Sequence, residues 1–181
     1  MKTYRLYIEE EKKRWFGDGE WVKEPDRVTF ERKGIRCLVA RVVKRDGPDH
    51  IFGGYLCGYC VLPDDHPWIG KQQEDIPAEV HGGITYAESK SKGTLIGFDC
   101  AHSEDEIPSM TKANEDFKKM LSGDFGPDFA GFGECLGWAY RNIDYVVEQC
   151  KQLAGQIWEA MAKHRQRIGA KKPLRKNPRK Q

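Results

Sequence analysis

The feature that most constrains the fold of this chain is a long amphipathic pattern near the C-terminus. From Asn142 onward, apolar residues recur mainly at intervals of three and four, the spacing of one face of an α-helix. These residues are Ile143, Val146, Val147, Cys150, Leu153, Ala154, Ile157, Trp158 and Met161. The pattern predicts a helix that packs on a sheet and ends near Gly169, with basic residues in its last turns.

The segments before this helix have the alternating, β-branched composition of strands. VTFERKGIRCLVARVVKR contains two such runs divided by Lys33 and Gly34, which is the pattern of a hairpin. IFGGYLCGYCVLP is apolar but contains three glycines, which indicates a bulged strand or a close approach of its backbone to another group. VHGGITYA and GTLIGFDC, joined by ESKSK, predict a second antiparallel hairpin. The first 16 residues are typical of a strand that leads into a polar turn.

These elements together predict an α+β fold. We expect a mostly antiparallel sheet packed against the long C-terminal amphipathic helix and one shorter helix, which runs from about Ser109 to Leu121. The 181 residues suit a single domain, which we place at residues 1–169. Residues 170–181 contain two prolines and many basic residues, so we expect them to form a disordered basic tail.

The distribution of charge bears on possible partners. Nine of the 30 Lys and Arg residues, and none of the 28 Asp and Glu residues, lie between Lys163 and Gln181. The rest of the chain is therefore net acidic. A basic tail can contact nucleic acid through phosphates, although a solvating end is the commoner role. No apolar run has the ~20 residues of a membrane span, and the N-terminus lacks a signal-peptide pattern, so we expect a cytoplasmic protein with no membrane partner.

Six cysteines are expected to be reduced residues of the core, because cytoplasmic thiols rarely form structural disulfides. Cys57 and Cys60 form a lone CxxC, for which Cys100 and His102 offer the only plausible completion of a zinc site. A redox pair needs a helix N-terminus, whereas this pair lies in a glycine-rich strand. We therefore expect no cofactor, although binding of a divalent metal at another site is possible.

A set of polar residues lies at the ends of the second predicted hairpin. His81, Gly82 and Gly83 begin its first strand, and Asp99 and His102 end its second. Because neighbouring antiparallel strands bring these ends together, we expect the side chains to meet at one edge of the hairpin. There they can line a ligand site. Alternatively, one histidine can act as a base, the other as an acid and Asp99 as an orienting carboxylate in a phosphodiesterase, with or without a metal. The alternative is a bulge beside a histidine of the core.

The loop PDDHPWIGK is a further candidate for ligand binding. Trp68 has the ring to stack on a base, and Lys71 has the charge to meet a phosphate. The alternatives are a tryptophan docked in the core and a solvated lysine.

The combination of DDHPWIGK, EVHGGITYA, IGFDCAH and YRNIDYVVEQCKQLAGQI resembles a group of small, largely uncharacterised proteins encoded by phages and prophages. The resemblance covers roughly residues 53–158. It implies a phage accessory protein in the host cytoplasm, and one recurrent role of such proteins is to disarm host defence by capturing or cleaving a signalling nucleotide.

Two classes of function follow as hypotheses. In the first, the protein sequesters a nucleotide-like ligand in a pocket lined by Trp68, Lys71, His81, Gly82, Gly83, Asp99 and His102. In the second, His81, Asp99 and His102 are the catalytic residues of a phosphodiesterase that cleaves such a nucleotide. A structural or DNA-associated phage protein is a weaker alternative, because most of the chain is acidic. The sequence leaves oligomerisation open.

Overall fold

The computed structural model describes residues 1–47, 51–91, 93–125 and 138–170. Its architecture is α+β, as the sequence predicts, with a six-stranded antiparallel sheet in the order β1-β2-β3-β4-β6-β5. The strands are β1 (Lys2–Tyr4), β2 (Arg27–Arg32), β3 (Ile35–Arg45), β4 (Ile51–Val61), β5 (Tyr86–Lys90) and β6 (Gly93–Asp99), and the helices are α1 (Glu9–Phe16), α2 (Pro108–Phe125) and α3 (Ile143–Ala170). Most of the predicted tail, residues 171–181, and Cys135 lie outside the described residues.

The long helix α3 covers one face of the sheet. Asn142 caps it, since its side-chain oxygen accepts a hydrogen bond from the Tyr145 N–H at 3.1 Å. Its apolar face is fully buried against β3 and β4 at Val146, Cys150, Leu153, Ala154 and Ile157. Each such aliphatic side chain contributes about 1.5 to 3 kcal/mol when it leaves water, so this interface is a major source of stability. Trp158 is the exception to the predicted face, because it is half exposed and packs under the Lys33 ammonium.

Both predicted hairpins are present. Lys33 and Gly34 form the β2–β3 turn with positive φ angles of 51° and 76°. The predicted bulge lies in β4, where the register shifts opposite the segment from Arg41 to Val43. Strands β5 and β6 pair as predicted, but β5 begins only at Tyr86, so His81 precedes the strand and lies in a turn.

The N-terminal segment differs from the sequence-based expectation. After the short strand β1, the charged run that we expected to form a polar turn forms α1. Three glutamates occupy its first turn, where they favour the positive end of the helix dipole. The described residues thus form two α-helices, α1 and α2, in addition to α3, where the sequence predicts one. Among its described residues, no helix is long and apolar enough to span a bilayer.

Helix α1 is fixed to the sheet by a buried network of charges around Asp26. The Asp26 carboxylate is fully buried and lies 2.8 Å from Lys12 Nζ and 3.0 Å from Arg41 Nε. Its second oxygen accepts hydrogen bonds from the backbone N–H groups of Leu6 and Tyr7. Although burial opposes ionisation, these donors hold the pKa of Asp26 below its ordinary value.

The network continues from Arg41 to the start of α3. Arg41 donates to Glu24 at 2.9 Å and to the Tyr140 hydroxyl at 2.9 Å. The other oxygen of Glu24 accepts the backbone N–H of Ile143 at 2.9 Å, at the helix N-terminus. Every buried side-chain polar atom of the described residues has a hydrogen-bond partner.

Replacing Asp26 by Asn should lower the free energy of unfolding by about 3 to 5 kcal/mol, because the change leaves Lys12 as a buried cation without a counter-charge and leaves Arg41 with Glu24 alone. Chemical denaturation measures the loss. The matched control is Asp18→Asn, which breaks an exposed 3.1 Å pair with Lys13 and should cost less than about 1 kcal/mol. Equal losses for the two variants would contradict a structural role of the Asp26 network.

Candidate functional site

The segment that carries His81 is held along α3 by two glutamines. Gln149 accepts the backbone N–H of His81 at 2.9 Å, and Gln156 forms two hydrogen bonds of 2.8 Å with the backbone of Glu79. Residues 149 and 156 lie two helical turns apart, so they fix an extended stretch of chain against one face of the helix. This places the His81 imidazole next to Tyr145 of α3.

The turn after His81 brings a glycine against a second imidazole. Gly82 and Gly83 both have positive φ angles, 65° and 82°, which residues with a side chain rarely adopt. A Cβ atom on Gly82 would lie 2.0 Å from Cε1 of His102, whereas one on Gly83 would meet nothing within 4 Å. Gly82 is therefore required for the close packing of the turn on the His102 ring.

Asp99 lies at the end of β6, but its side chain points away from α3. Phe98 faces α3 and the main core, and successive side chains of a strand alternate between its faces. Asp99 is paired in register with Cys57, which belongs to a separate cluster with Tyr55 and Ile107. Its carboxylate accepts the Ala101 N–H at 3.1 Å. Asp99 is not in the group of convergent side chains that contains the two histidines.

The carboxylate between the two histidines is that of Asp105. A turn follows β6, closed by the hydrogen bond from the Asp105 N–H to the His102 carbonyl at 3.0 Å. The segment is fixed from its other side by Ala139, which forms an isolated parallel bridge with Asp105. The Asp105 side chain is thereby turned inward, with only 1% of its surface exposed.

Asp105 binds four hydrogen-bond donors at its two oxygens. Oδ2 lies 2.8 Å from His81 Nε2, 3.2 Å from His102 Nδ1 and 3.0 Å from the His102 backbone nitrogen. Oδ1 accepts a hydrogen bond from Nε of Arg141 at 2.9 Å. The hydroxyl of Tyr145 lies 3.1 Å from the remaining ring nitrogen of His81. We call these five residues, His81, His102, Asp105, Arg141 and Tyr145, the Asp105 cluster.

The electrostatics of the Asp105 cluster favour an ionised carboxylate. Burial opposes ionisation of Asp105, but hydrogen bonds from His81, the His102 backbone and Arg141 outweigh it and hold its pKa below the ordinary value. The contact with Asp105 in turn raises the pKa of Arg141, chiefly through the hydrogen bond between them. An ionised Asp105 therefore accepts hydrogen bonds from the rings on both sides.

Two groups of the cluster keep unused donors or acceptors. His102 uses Nδ1 toward Asp105, and none of the described residues binds its Nε2. One third of the His102 side chain is exposed. Arg141 uses only Nε toward Asp105, while its terminal nitrogens have no partner in the described parts of the chain and its guanidinium lies over the Tyr145 ring at 5.2 Å. His81, in contrast, has both ring nitrogens engaged.

Three ligand atoms of the cluster are close enough to hold a metal ion. Those of His81, His102 and Asp105 all lie within 4.8 Å of one another. Each of these atoms already takes part in the hydrogen bonds among the three side chains, and the Arg141 guanidinium lies on the same carboxylate. A cation in this position would have to displace protons and face a fixed positive charge. The residues therefore fit a metal-free site better than a metal centre.

Trp68 and Lys71, the other predicted ligand-binding residues, line a different part of the surface. Trp68 is only 6% exposed and belongs to the main core, where its ring packs edge-on to His66 at 4.8 Å. His66 fixes this loop, because its ring nitrogens contact the Ile157 carbonyl and the Trp68 backbone N–H. Lys71 is exposed and lines a groove with Trp68 and residues of the C-terminal half of α3.

The cysteines are core residues wherever they are described. All five of Cys37, Cys57, Cys60, Cys100 and Cys150 are buried and reduced. Cys57 and Cys60 are three residues apart in one strand, so they project from opposite faces and belong to different apolar clusters. Burial raises the pKa of the Cys57 thiol to about 12, which makes it a poor nucleophile.

Substituting Gly82 by Ala should displace the His102 imidazole from Asp105, because the new methyl group would overlap the ring. Gly83→Ala is the matched control: it has the same strain of a positive φ angle, about 1 to 2 kcal/mol, without the overlap. Nitrogen and carbon chemical shifts of the His102 ring, measured by NMR, should move in Gly82→Ala and stay in place in Gly83→Ala. Unchanged His102 signals in both variants would contradict this packing.

Asp105→Asn should reveal the acid sensitivity of the cluster. The folded-state pKa of Asp105 is below its unfolded value of about 3.9, so its ionised form stabilises the fold above that pH, and the contribution is lost as the pH falls through the folded-state pKa. The wild type should exceed the variant in free energy of unfolding by about 1 to 3 kcal/mol at pH 5, and the difference should shrink below about pH 4. Denaturation at a series of pH values measures it, and a difference that stays constant down to about pH 2 would contradict the assignment.

We compared the chain with protein-family models, with curated proteins and with solved structures, and none of the three comparisons gives a match. The functional argument therefore starts from the chemistry of the Asp105 cluster.

Proposed function

We propose that the protein binds a small nucleotide-like ligand through its phosphate groups at the Asp105 cluster. The observation that carries this proposal is the set of unused nitrogens, His102 Nε2 and the terminal nitrogens of Arg141, on two side chains that one buried carboxylate fixes in place. Because their orientation is set before a ligand arrives, little side-chain entropy is lost on binding.

Phosphate is the ligand group that this chemistry favours. A guanidinium offers a planar fork of N–H donors that matches phosphate oxygens, and the imidazole beside it adds a further donor when its ring is protonated.

The resemblance to phage and prophage proteins supplies a biological setting for such a ligand. In that setting, the protein would sequester a nucleotide that host defence systems use as a signal. Sequestration requires affinity and a protein present in amounts comparable to its ligand, and it requires no reacting group.

A second candidate function is hydrolysis of such a nucleotide. The contact of 3.2 Å between His102 Nδ1 and Asp105 favours it, because a carboxylate at Nδ1 leaves Nε2 as a proton acceptor for an attacking water. Arg141 would stabilise charge on the phosphoryl oxygens. Hydrolysis also needs a proton for the leaving oxygen. With His102 as the base, His81 is the histidine left to act as the acid, but both of its nitrogens are engaged with Asp105 and Tyr145, and this supports binding over turnover.

The decisive experiment is incubation of the protein with a panel of cyclic dinucleotides, cyclic mononucleotides and ADP-ribose derivatives, followed by heat denaturation and chromatography of the released ligand. We expect one ligand to be depleted from solution at stoichiometric protein and recovered intact after heating. Recovery of a chemically altered ligand at substoichiometric protein would indicate hydrolysis and contradict sequestration. If no phosphate-bearing ligand is depleted or altered, both proposed functions are overturned.

Three variants locate the binding site. Arg141→Ala and His102→Ala should each weaken binding by about tenfold or more, since each removes a hydrogen bond to a charged group worth about 1.5 to 3 kcal/mol. Asp99→Asn is the matched comparison, because Asp99 was predicted for the site but faces the other side of the sheet. Equal losses in Asp99→Asn and Arg141→Ala would place the ligand outside the Asp105 cluster.

A further inference from the structure

A groove distant from the Asp105 cluster has the charge of an anion-binding site. It has a volume of about 450 Å³ and runs between the loop at residues 67–77 and the last turns of α3. Lys71, Lys163 and Arg167 line it together with one acidic residue, Glu159. The groove is therefore locally basic, although residues 1–162 are net acidic.

The three cations are available for an external ligand. Lys163 and Arg167 are exposed and form no ion pair with any residue that the structure describes, and the Lys71 ammonium contacts only the uncharged backbone carbonyl of Asp75 at 3.2 Å. Arg165, which lies between them in the sequence, is instead paired with Asp65 at 3.5 Å. The cations that line the groove are thus not paired with a carboxylate of the described residues.

The shape of the groove favours a chain of phosphates over a stacked base. Lys163 and Arg167 are four residues apart on a helix, so their side chains start about 5 to 6 Å from each other and present two positive charges side by side along the groove. Pro67, Trp68 and Pro77 add apolar surface to its lining. Because Trp68 is 6% exposed, its ring face is covered and offers no stacking platform.

We propose that this groove binds the phosphodiester backbone of a nucleic acid, independently of base sequence. Beyond α3, the chain continues with six further Lys or Arg residues and no acidic residue through Gln181. They extend the run of positive charge that begins at Lys163. This proposal concerns a different surface and a different ligand from the Asp105 cluster, so either can fail without the other.

The test uses the full-length protein and a fluorescently labelled single-stranded oligonucleotide of mixed sequence, about 20 nucleotides long, at several salt concentrations. Three phosphate contacts predict that the logarithm of the binding constant falls with the logarithm of salt concentration with a slope of at least about −2. K163E/R167E should reduce the size of this slope by about 1.4 and weaken binding more than about tenfold, with no dependence on base sequence.

The matched control is K23E/R32E, which makes the same change in net charge at two exposed residues outside the groove. It should bind within about threefold of the wild type, because only long-range charge is altered. Equal weakening in the two double variants, or no measurable binding by the wild type at low salt, overturns the proposal. Unfolding curves confirm that both variants are folded.

Polyglutamate distinguishes a nucleic-acid site from a general polyanion patch. We expect it to displace the oligonucleotide at least about tenfold less effectively than unlabelled oligonucleotide at equal concentration of charge. Equal displacement would overturn the assignment to nucleic acid. His102→Ala should bind the oligonucleotide as the wild type does, which separates this groove from the nucleotide site.

Discussion

The attraction between the Asp26 carboxylate and the cations of Lys12 and Arg41 is the interaction on which the rest of the structure depends. All three groups are removed from water, so each would destabilise the fold strongly without the others. Through Lys12 the carboxylate fixes α1 to the sheet, and through Arg41 it orders Tyr140, immediately before α3. The next residue along the chain is Arg141, which binds Asp105. The buried network thus sets the position of the candidate site.

Asp105 repeats this arrangement near the surface, but with a different consequence. Like Asp26, it is a buried carboxylate whose oxygens are saturated by donors. The partners of Asp26 are buried and have nothing left to offer a ligand, whereas His102 and Arg141 are only partly buried and bind Asp105 with one end, which leaves nitrogens that no described residue binds. The same device is therefore structural in one place and suited to recognition in the other.

The sequence predicts the elements better than the contacts between them. The helix from Asn142, the turn at Lys33 and the β5–β6 hairpin depend on local periodicity and turn chemistry, which one sequence contains. His81 and His102 could be placed together because antiparallel strands bring such ends close.

The identity of the carboxylate could not be predicted from local sequence. Asp99 and Asp105 each lie three residues from His102, and only the face of the strand and the direction of the turn distinguish them. Arg141 follows His102 by 39 residues, so no spacing rule connects them. The burial of Lys12, in the charged run expected to form a polar turn, was not predictable either, because its partner Asp26 lies 14 residues away in the sequence.

Helix α3 separates the two proposed binding surfaces. Tyr145 of the Asp105 cluster and Lys163 of the basic groove are 18 residues apart on one continuous helix, a distance of about 27 Å along its axis. A mononucleotide is too short to span it, and exposed charges that far apart are screened at physiological salt, where the Debye length is about 8 Å. A ligand in the cluster and a strand in the groove therefore have no direct electrostatic coupling. Any dependence of one on the other would have to pass through the packing of α3 on the sheet, and the fully buried face of the helix, from Val146 to Ile157, leaves little freedom for such a shift.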